Sequence, residues 1–461
     1  MEKKLDQISL FLLGIFFFLI AIYSKQFAYL NIKLGSIPVF ISEATLTAIL
    51  VLRVFHWKNV LRSSRWPIYF LGAFLAWGFV RLGISVASGQ VKEFGLIESL
   101  KQTCIFYQGV WFLVPFLFSG RELKKLMVVS FSGIAVAEIF GWLGFLLMGT
   151  YGSTYSRLIG FPVGDEVLLP LYPLVYLLLA KPYPELISLT FGHLWLTQFV
   201  IYMKRTWVFS VLFFALPLLI WRAGKDWPSL LKRLTWPFLL GLALAGLTLF
   251  YVSAREEPIF YHRQQSESLK QRENMPKFGR AMLFLLDQVF PYTDPLETQV
   301  SIGRIIFKGD LAQNGSASPT SLMAFRMHLW QQAWDGFLER PWVGNGFGTR
   351  MMTTQLNGLP AVVDGRWISG PHNSFLAVMN RLGLIGFFLL SGLLGWVGWI
   401  FLRSPKSDFS WLVAASVVNL HFFALFNVCL ENPQGGIWYW FFLGTALAVV
   451  YAEAEVKESA R

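Results

Sequence analysis

Apolar runs of about twenty residues alternate with short polar connections along most of this chain, and the connections hold most of its charge. Because an α-helix satisfies its backbone groups internally, roughly 17–25 consecutive apolar residues are enough to cross a hydrocarbon core about 30 Å thick. The pattern predicts about twelve such helices. They run over 8–23, 37–55, 66–87, 104–119, 125–149, 166–180, 184–203, 206–221, 235–253, 376–402, 409–429 and 436–452. The first leads into Lys25 and Gln26 with no small-residue cleavage site, so it reads as a retained span and not a signal peptide. The expected fold class is an all-α polytopic membrane protein.

One segment breaks the alternation, a polar stretch of about 120 residues over 254–373, punctuated by Pro and Gly. The chain therefore divides into 1–253 with nine spans, 254–373 as a single large loop, and 374–461 with three spans. Charges in the loop nearly cancel, twelve Lys or Arg against eleven Asp or Glu, and it keeps its aromatic residues, which argues against a disordered tail. Its opening, 255–274, suits a solvated helix or strip, and 280–290 suits a segment lying along the membrane surface. From Ser321 onward, Leu322, Phe325, Leu329, Ala333 and Phe337 recur at spacings of three and four until Pro341. That spacing predicts an amphipathic helix over 321–340 with Ser321 as its cap. A loop bearing Gly344, Gly346, Gly348 and Gly358 follows, and then GPHNSF at 370–375.

Composition agrees with this picture: 55% of the 461 residues are hydrophobic and only 14% charged. Lys and Arg set the orientation. With the N-terminus cytoplasmic, the inner connections hold Arg53, Lys58, Arg62 and Arg65, then Arg121, Lys124 and Lys125, then Arg222, Lys225, Lys232 and Arg233, then Arg403 and Lys406. Both termini then lie inside and the large loop outside. The net charge of +12 is mostly this inner-face bias, suited to anionic lipid headgroups, and does not indicate a nucleic-acid surface. Cys104 and Cys429 give no disulfide framework and no metal spacing.

Few polar residues stand where chemistry is to be expected. His372 follows the rigid Pro371 and precedes Asn373 at the outer mouth of the tenth span. A lone histidine is commonly a packed core residue, but an imidazole at a membrane–water boundary can accept a proton near neutrality. Arg326 lies four residues before Trp330 on the predicted helix, as a solvated or cation–π arginine or as a phosphate clamp. Lys204 and Arg205 stand as two cations in an expected outer connection, against the orientation bias, either because the topology shifts there or as a cationic pair at the outer surface. Glu431, between the last two spans, either ends a helix before Pro433 or orients His372 or an incoming hydroxyl. Within the spans Glu43, Arg81, Glu138, His193 and His421 are costly unless paired. No Asp-x-Asp, HExxH or CxxC occurs, and GNGFGT at 344–349 lacks the Lys-Ser/Thr of a P-loop. No metal and no cofactor are expected.

The succession Arg326, Trp330, Ala333, Phe337, then PWVGNGFG at 341–348, PHNSFL at 371–376 and LGLIG at 382–386 resembles the O-antigen ligase family. The Lys204-Arg205 pair is similar to a Ser-Arg pair of that family, with Lys in place of Ser. The resemblance implies a GT-C-type bundle and a glycosyltransferase of the bacterial inner membrane. Such an enzyme moves a glycan from an undecaprenyl-pyrophosphate donor to an acceptor hydroxyl, on lipid A-core or a similar molecule, outside the cytoplasmic membrane. It further implies His372 as base, Arg326 and Arg205 on the pyrophosphate with Lys204, Asn373 and Glu431 near the substrate, and inversion at the anomeric carbon without a metal. A repeat-unit polymerase of the same superfamily shares every motif. A flippase for lipid-linked sugars remains as a reading of another class, one that would put functional charges near the bilayer midplane.

Overall fold

Leu13, Phe16, Phe17 and Ile20, spaced three and four apart, form the buried stripe of the first helix, α1 (Glu2–Ala28). The computed structural model describes residues 2–130, 227–254, 322–349 and 362–459, apart from a few positions within those ranges. After α1 come a short antiparallel hairpin, β1 (Asn31–Leu34) with β2 (Ile37–Phe40), then α2 (Ile41–Leu52), α3 (Trp57–Arg62), α4 (Arg65–Ala87), α5 (Gln90–Phe94) and α6 (Leu96–Tyr107). Further along are α7 (Trp227–Ala254), α8 (Leu322–Glu339), a second hairpin of β3 (Val362–Val363) and β4 (Arg366–Trp367), α9 (Ser374–Arg403), α10 (Asp408–Phe426) and α11 (Pro433–Ser459). The described chain is thus almost entirely helical, as expected of an all-α membrane protein.

Among the described residues three helices are long and apolar enough to cross a membrane: Arg65–Ala87, Ser374–Arg403 and Gly435–Ala454. Shorter apolar helices cover Ile41–Leu52, Thr235–Leu247 and Ser416–Leu425. The expected spans 166–180, 184–203 and 206–221, and most of 125–149, lie outside the described residues, as does the loop from 255 to 321.

Two expected spans take a different form. The apolar run 37–55 begins as strand β2, paired to β1 in register Ile37 with Leu34, and only then becomes a helix. The run 104–119 is the end of α6 followed by a ten-residue 3₁₀ helix, Gln108–Leu117. Pro115 removes a backbone donor inside that stretch, and the Phe112 carbonyl comes against Gly444 of α11, an approach closer than any side chain at 444 would permit.

The chain forms two units: Met1–Ile134 with Arg326–Thr353 and Ser369–Arg461, and Ala135–Phe325 with Thr354–Ile368. The second contains α7 and the β3–β4 hairpin. The first has an aromatic core in which Trp111 stacks on Phe16 at 5.2 Å between ring centroids and Phe17 meets Phe441 at 4.3 Å. One end of this unit is tied by Arg53, buried to 1% exposure. Its guanidinium donates to Glu122 Oε1 (2.8 Å), Ser9 Oγ (2.6 Å), and the carbonyls of Asp6 (3.0 Å) and Leu117 (3.1 Å). Elsewhere in this unit Arg81 meets the 344–349 turn, and Glu431 meets the start of α9.

Candidate functional site

The start of α9 is built by three consecutive polar residues. Asn373 caps the helix, its Oδ1 accepting the Leu376 amide at 3.0 Å, which satisfies one of the donors an N-terminus leaves open. Ser374 is fully buried. Its hydroxyl oxygen accepts the amides of Cys429 (3.0 Å) and Leu430 (3.1 Å), and its proton goes to Glu431 Oε2. With two donors on the Ser374 oxygen, that proton has no other use. The junction between α10 and α11 is thereby fastened to the mouth of α9.

His372 has φ +52°, the one left-handed non-glycine among the described residues. Left-handed backbone at a residue with a side chain is uncommon and stores roughly 1–3 kcal/mol of strain, which native structures keep mainly where function uses it. The imidazole is half-buried. Its backbone geometry follows from its neighbours: Pro371 fixes the approach, and the capped helix fixes the exit two residues later.

Glu431 Oε1 is closed off from solvent and has no hydrogen-bond partner among the described residues. Gly370, two residues before His372, lies beside it, at a distance where an added Cβ would be in ordinary contact with that oxygen (3.8 Å). Burial pushes the Glu431 carboxyl up to about 7, against the lowering pull of the Ser374 hydroxyl and, more weakly, of the Arg381 charge. A carboxyl poised near neutrality, with one oxygen committed and one open, can hold or release a proton in the range where an imidazole also titrates.

Ten residues into α9 the helix breaks at Gly383, whose φ of 68° and ψ of −169° only glycine adopts readily. A break strands carbonyls before it and amides after it, and inside a bilayer each must find a partner. The Asn380 and Arg381 carbonyls take the amides of Asn345 (2.7 Å) and Gly346 (3.0 Å), and the Leu382 carbonyl takes Trp77 Nε1 (2.8 Å). Beyond it, the Leu384 and Ile385 amides reach the carbonyls of Pro341 (2.8 Å) and Trp342 (3.3 Å). The glycine turn and the broken helix are two halves of one clasp, and Gly344, Gly346 and Gly348 all have φ between 72° and 78°.

Helix α8 enters this clasp directly. Leu329, Ala333 and Phe337 are its buried face, while Trp334 and Leu338 are exposed. Asn380 Nδ2 bonds the Ala333 carbonyl (2.8 Å) and Asn345 Nδ2 the Gly336 carbonyl (2.6 Å), so α8 is pinned to α9 through its backbone.

Of the residues singled out from sequence, His372, Asn373 and Glu431 come together at the mouth of α9. Lys204, Arg205, Glu138 and His193 lie outside the described residues, as does the side chain of Arg326 on α8. The remaining intramembrane charges have partners: Tyr107 OH donates to Glu43 Oε1 (2.6 Å), Arg81 Nη2 to the Gly344 carbonyl (2.7 Å), and His421 Nδ1 lies 3.0 Å from Tyr439 OH. Cys104 and Cys429 are buried free thiols. Sequence reading passed over Ser374, although a serine beside Asn373 was in view, and Arg381, although a cation inside the apolar run 376–402 was itself a signal.

Residues 194–391 match the model of the O-antigen ligase family. A protein named O-antigen ligase from Pseudomonas aeruginosa is 24% identical over 159 residues, 33% of this chain and 34% of the relative, so the match spans about a third of that relative's length. The family segment contains Arg326, the glycine turn, His372 and the break at Gly383, whereas Arg81, Ser85, Gln102 and Glu431 fall outside it.

Proposed function

From the match of residues 194–391 to the O-antigen ligase family, we propose that this chain is a bacterial inner-membrane glycosyltransferase. It moves a glycan from an undecaprenyl-pyrophosphate donor to an acceptor hydroxyl, on lipid A-core or a similar molecule, at the outer side of the cytoplasmic membrane. The Lys and Arg bias of the connections supports both termini inside and the mouth of α9 outside. The observation that carries the reading is the left-handed His372 held between Pro371 and a capped helix, inside the matched segment and two residues before the Ser374 that holds the Glu431 carboxyl.

In this reading the acceptor oxygen attacks the anomeric carbon while the bond from that carbon to the donor phosphate breaks. The acceptor proton passes to His372, and undecaprenyl pyrophosphate departs with the bonding electrons. A pyrophosphate is a good leaving group, so arginine guanidinia, here Arg326 and Arg205 with Lys204, suffice to take up its charge without a metal. A single displacement inverts the anomeric configuration. Glu431, its Oε2 held by Ser374, offers Oε1 to the imidazole or the incoming hydroxyl, and Asn373 keeps the mouth of α9 in shape.

The test is transfer by the purified protein in lipid vesicles, given a lipid-linked oligosaccharide with and without a lipid A-core acceptor. Product on the acceptor, lost in His372→Ala, supports the ligase reading. Chain growth from the donor alone assigns polymerase activity instead, and normal transfer by His372→Ala refutes the mechanism.

A further inference from the structure

We infer that Arg81, Ser85 and Gln102, three side chains of α4 and α6, are positioning residues of the transfer site. They hold the glycine turn 344–349, which in turn fixes the helix that carries Arg326 against the break in α9, the helix that His372 precedes. This rests on the functional reading above for its meaning, though not for its geometry.

The turn has almost no internal hydrogen bonding. The Gly344 amide reaches back to the Arg340 carbonyl (2.8 Å), and the next two amides go to the carbonyls freed by the break in α9. The Phe347 amide goes to Ser85 Oγ (2.8 Å) and the Gly348 amide to Gln102 Oε1 (2.9 Å). On the acceptor side, the Gly344 carbonyl takes Arg81 Nη2 (2.7 Å), the Gly346 carbonyl takes Arg381 Nη1 (3.0 Å), and the Thr349 carbonyl takes Gln102 Nε2 (3.1 Å). A segment of this kind has a defined shape only while its outside partners stay in place.

Space adds to the constraint. A side chain at 346 would press on Ser85 Oγ and lie 3.1 Å from Arg81 Nη2, and one at 348 would lie 2.7 Å from the Val91 backbone. Ser85 itself is locked, donating to the Arg81 carbonyl at 3.0 Å while it accepts from Phe347. The turn is therefore seated on α4 and α5 as closely as backbone allows. Four residues separate it from α8 and thirty-five separate its start from the Asn380–Gly383 bend, yet both helices take their relative placement from it. None of Arg81, Ser85 and Gln102 lies within 194–391, so the family segment draws its alignment from the N-terminal helices.

The experiment reads geometry and catalysis separately. Leu338 on α8 and Phe388 on α9 are 54% and 60% exposed, and the native Cys104 and Cys429 are buried, so a Leu338→Cys/Phe388→Cys pair accepts spin labels selectively. In vesicles the label–label distance is expected to be narrowly distributed in the parent and broadened in Ser85→Ala, Gln102→Ala and Arg81→Gln. Arg81→Lys keeps one donor for the Gly344 carbonyl and is expected to narrow it again. Without the labels, the same three variants are expected to lose about tenfold or more in kcat per folded molecule, since misplacement by about 1 Å costs up to ~100-fold. KM should change less than about threefold, because the donor contacts remain. Distances that stay narrow in all three variants overturn the inference, as does activity that falls only with the amount of folded protein. Should Arg81→Gln fail to fold, Ser85→Ala and Gln102→Ala, which remove neutral hydrogen bonds alone, decide it. Absence of transfer in the parent would end the enzymatic reading while the distances still decide on positioning.

Discussion

Replacing Glu431 with Gln isolates the free energy of a buried carboxyl at the mouth of α9. The carboxyl lies outside the membrane-spanning helices, Oε2 is held by the Ser374 hydroxyl, and Oε1 is shielded without a partner among the described residues. Burial raises it from 4.5 to about 7. At ~1.36 kcal/mol per pH unit the gap comes to about 3 kcal/mol, and the partial openness of the residue as a whole brings this nearer 2 kcal/mol. Because the raised value means that the folded state binds the proton more tightly than the unfolded chain, stability is greatest below the unfolded value and declines as pH rises. The decline starts above 4.5 and is complete once pH has passed about 7. Gln cannot ionise and keeps an oxygen for the Ser374 proton, so Glu431→Gln should flatten the curve and make the protein about 2 kcal/mol more stable than the parent at pH 8. The assay is reversible unfolding in mixed detergent micelles at pH 5, 6, 7 and 8, followed by circular dichroism. Parallel curves for parent and variant across this range would refute the burial argument.

The other predictions are briefer. Gly383→Ala would adopt a backbone only glycine tolerates and drive a methyl against the Trp342 carbonyl and to 2.6 Å from the Gly344 amide; a loss of about 3 kcal/mol or more is expected in the same unfolding assay. Asn373→Ala removes the cap of α9 and should cost about 1 kcal/mol, with Asn373→Asp retaining most of it. His372→Gly relieves left-handed strain and should leave stability unchanged or raised by about 1 kcal/mol while transfer is lost, a separation of stability from activity that a packed core histidine would not give.

The helical membrane class was legible because hydrophobic run length is a direct reading of bilayer thickness, and it depends on no tertiary detail. What run length misses is interruption. The stretch 104–119 has the composition of a span, but Gln108–Leu117 winds as 3₁₀ against Gly444, more than three hundred residues away, a partner that run length does not reveal. The hairpin at Asn31–Phe40 was hidden for the same reason: Ile37 to Phe40 are apolar enough to read as the start of a helix, and only pairing with β1 shows otherwise.

The site divides along the same line. His372, Asn373 and Glu431 were visible as single polar residues at the ends of apolar runs, since a residue out of place in an oily context is a local signal. The glycine turn was visible too, but as a pattern without a purpose: three glycines two apart announce left-handed backbone and say nothing of its partners. Those partners are a carbonyl ladder left open by Gly383 and three side chains from α4 and α6, brought together by packing over some 260 residues of sequence. Arg81 shows the difference most clearly. Along the chain it is a costly charge near the end of an apolar run; in the fold it is the donor that closes the Gly344 carbonyl, at the turn on which α8 and α9 align.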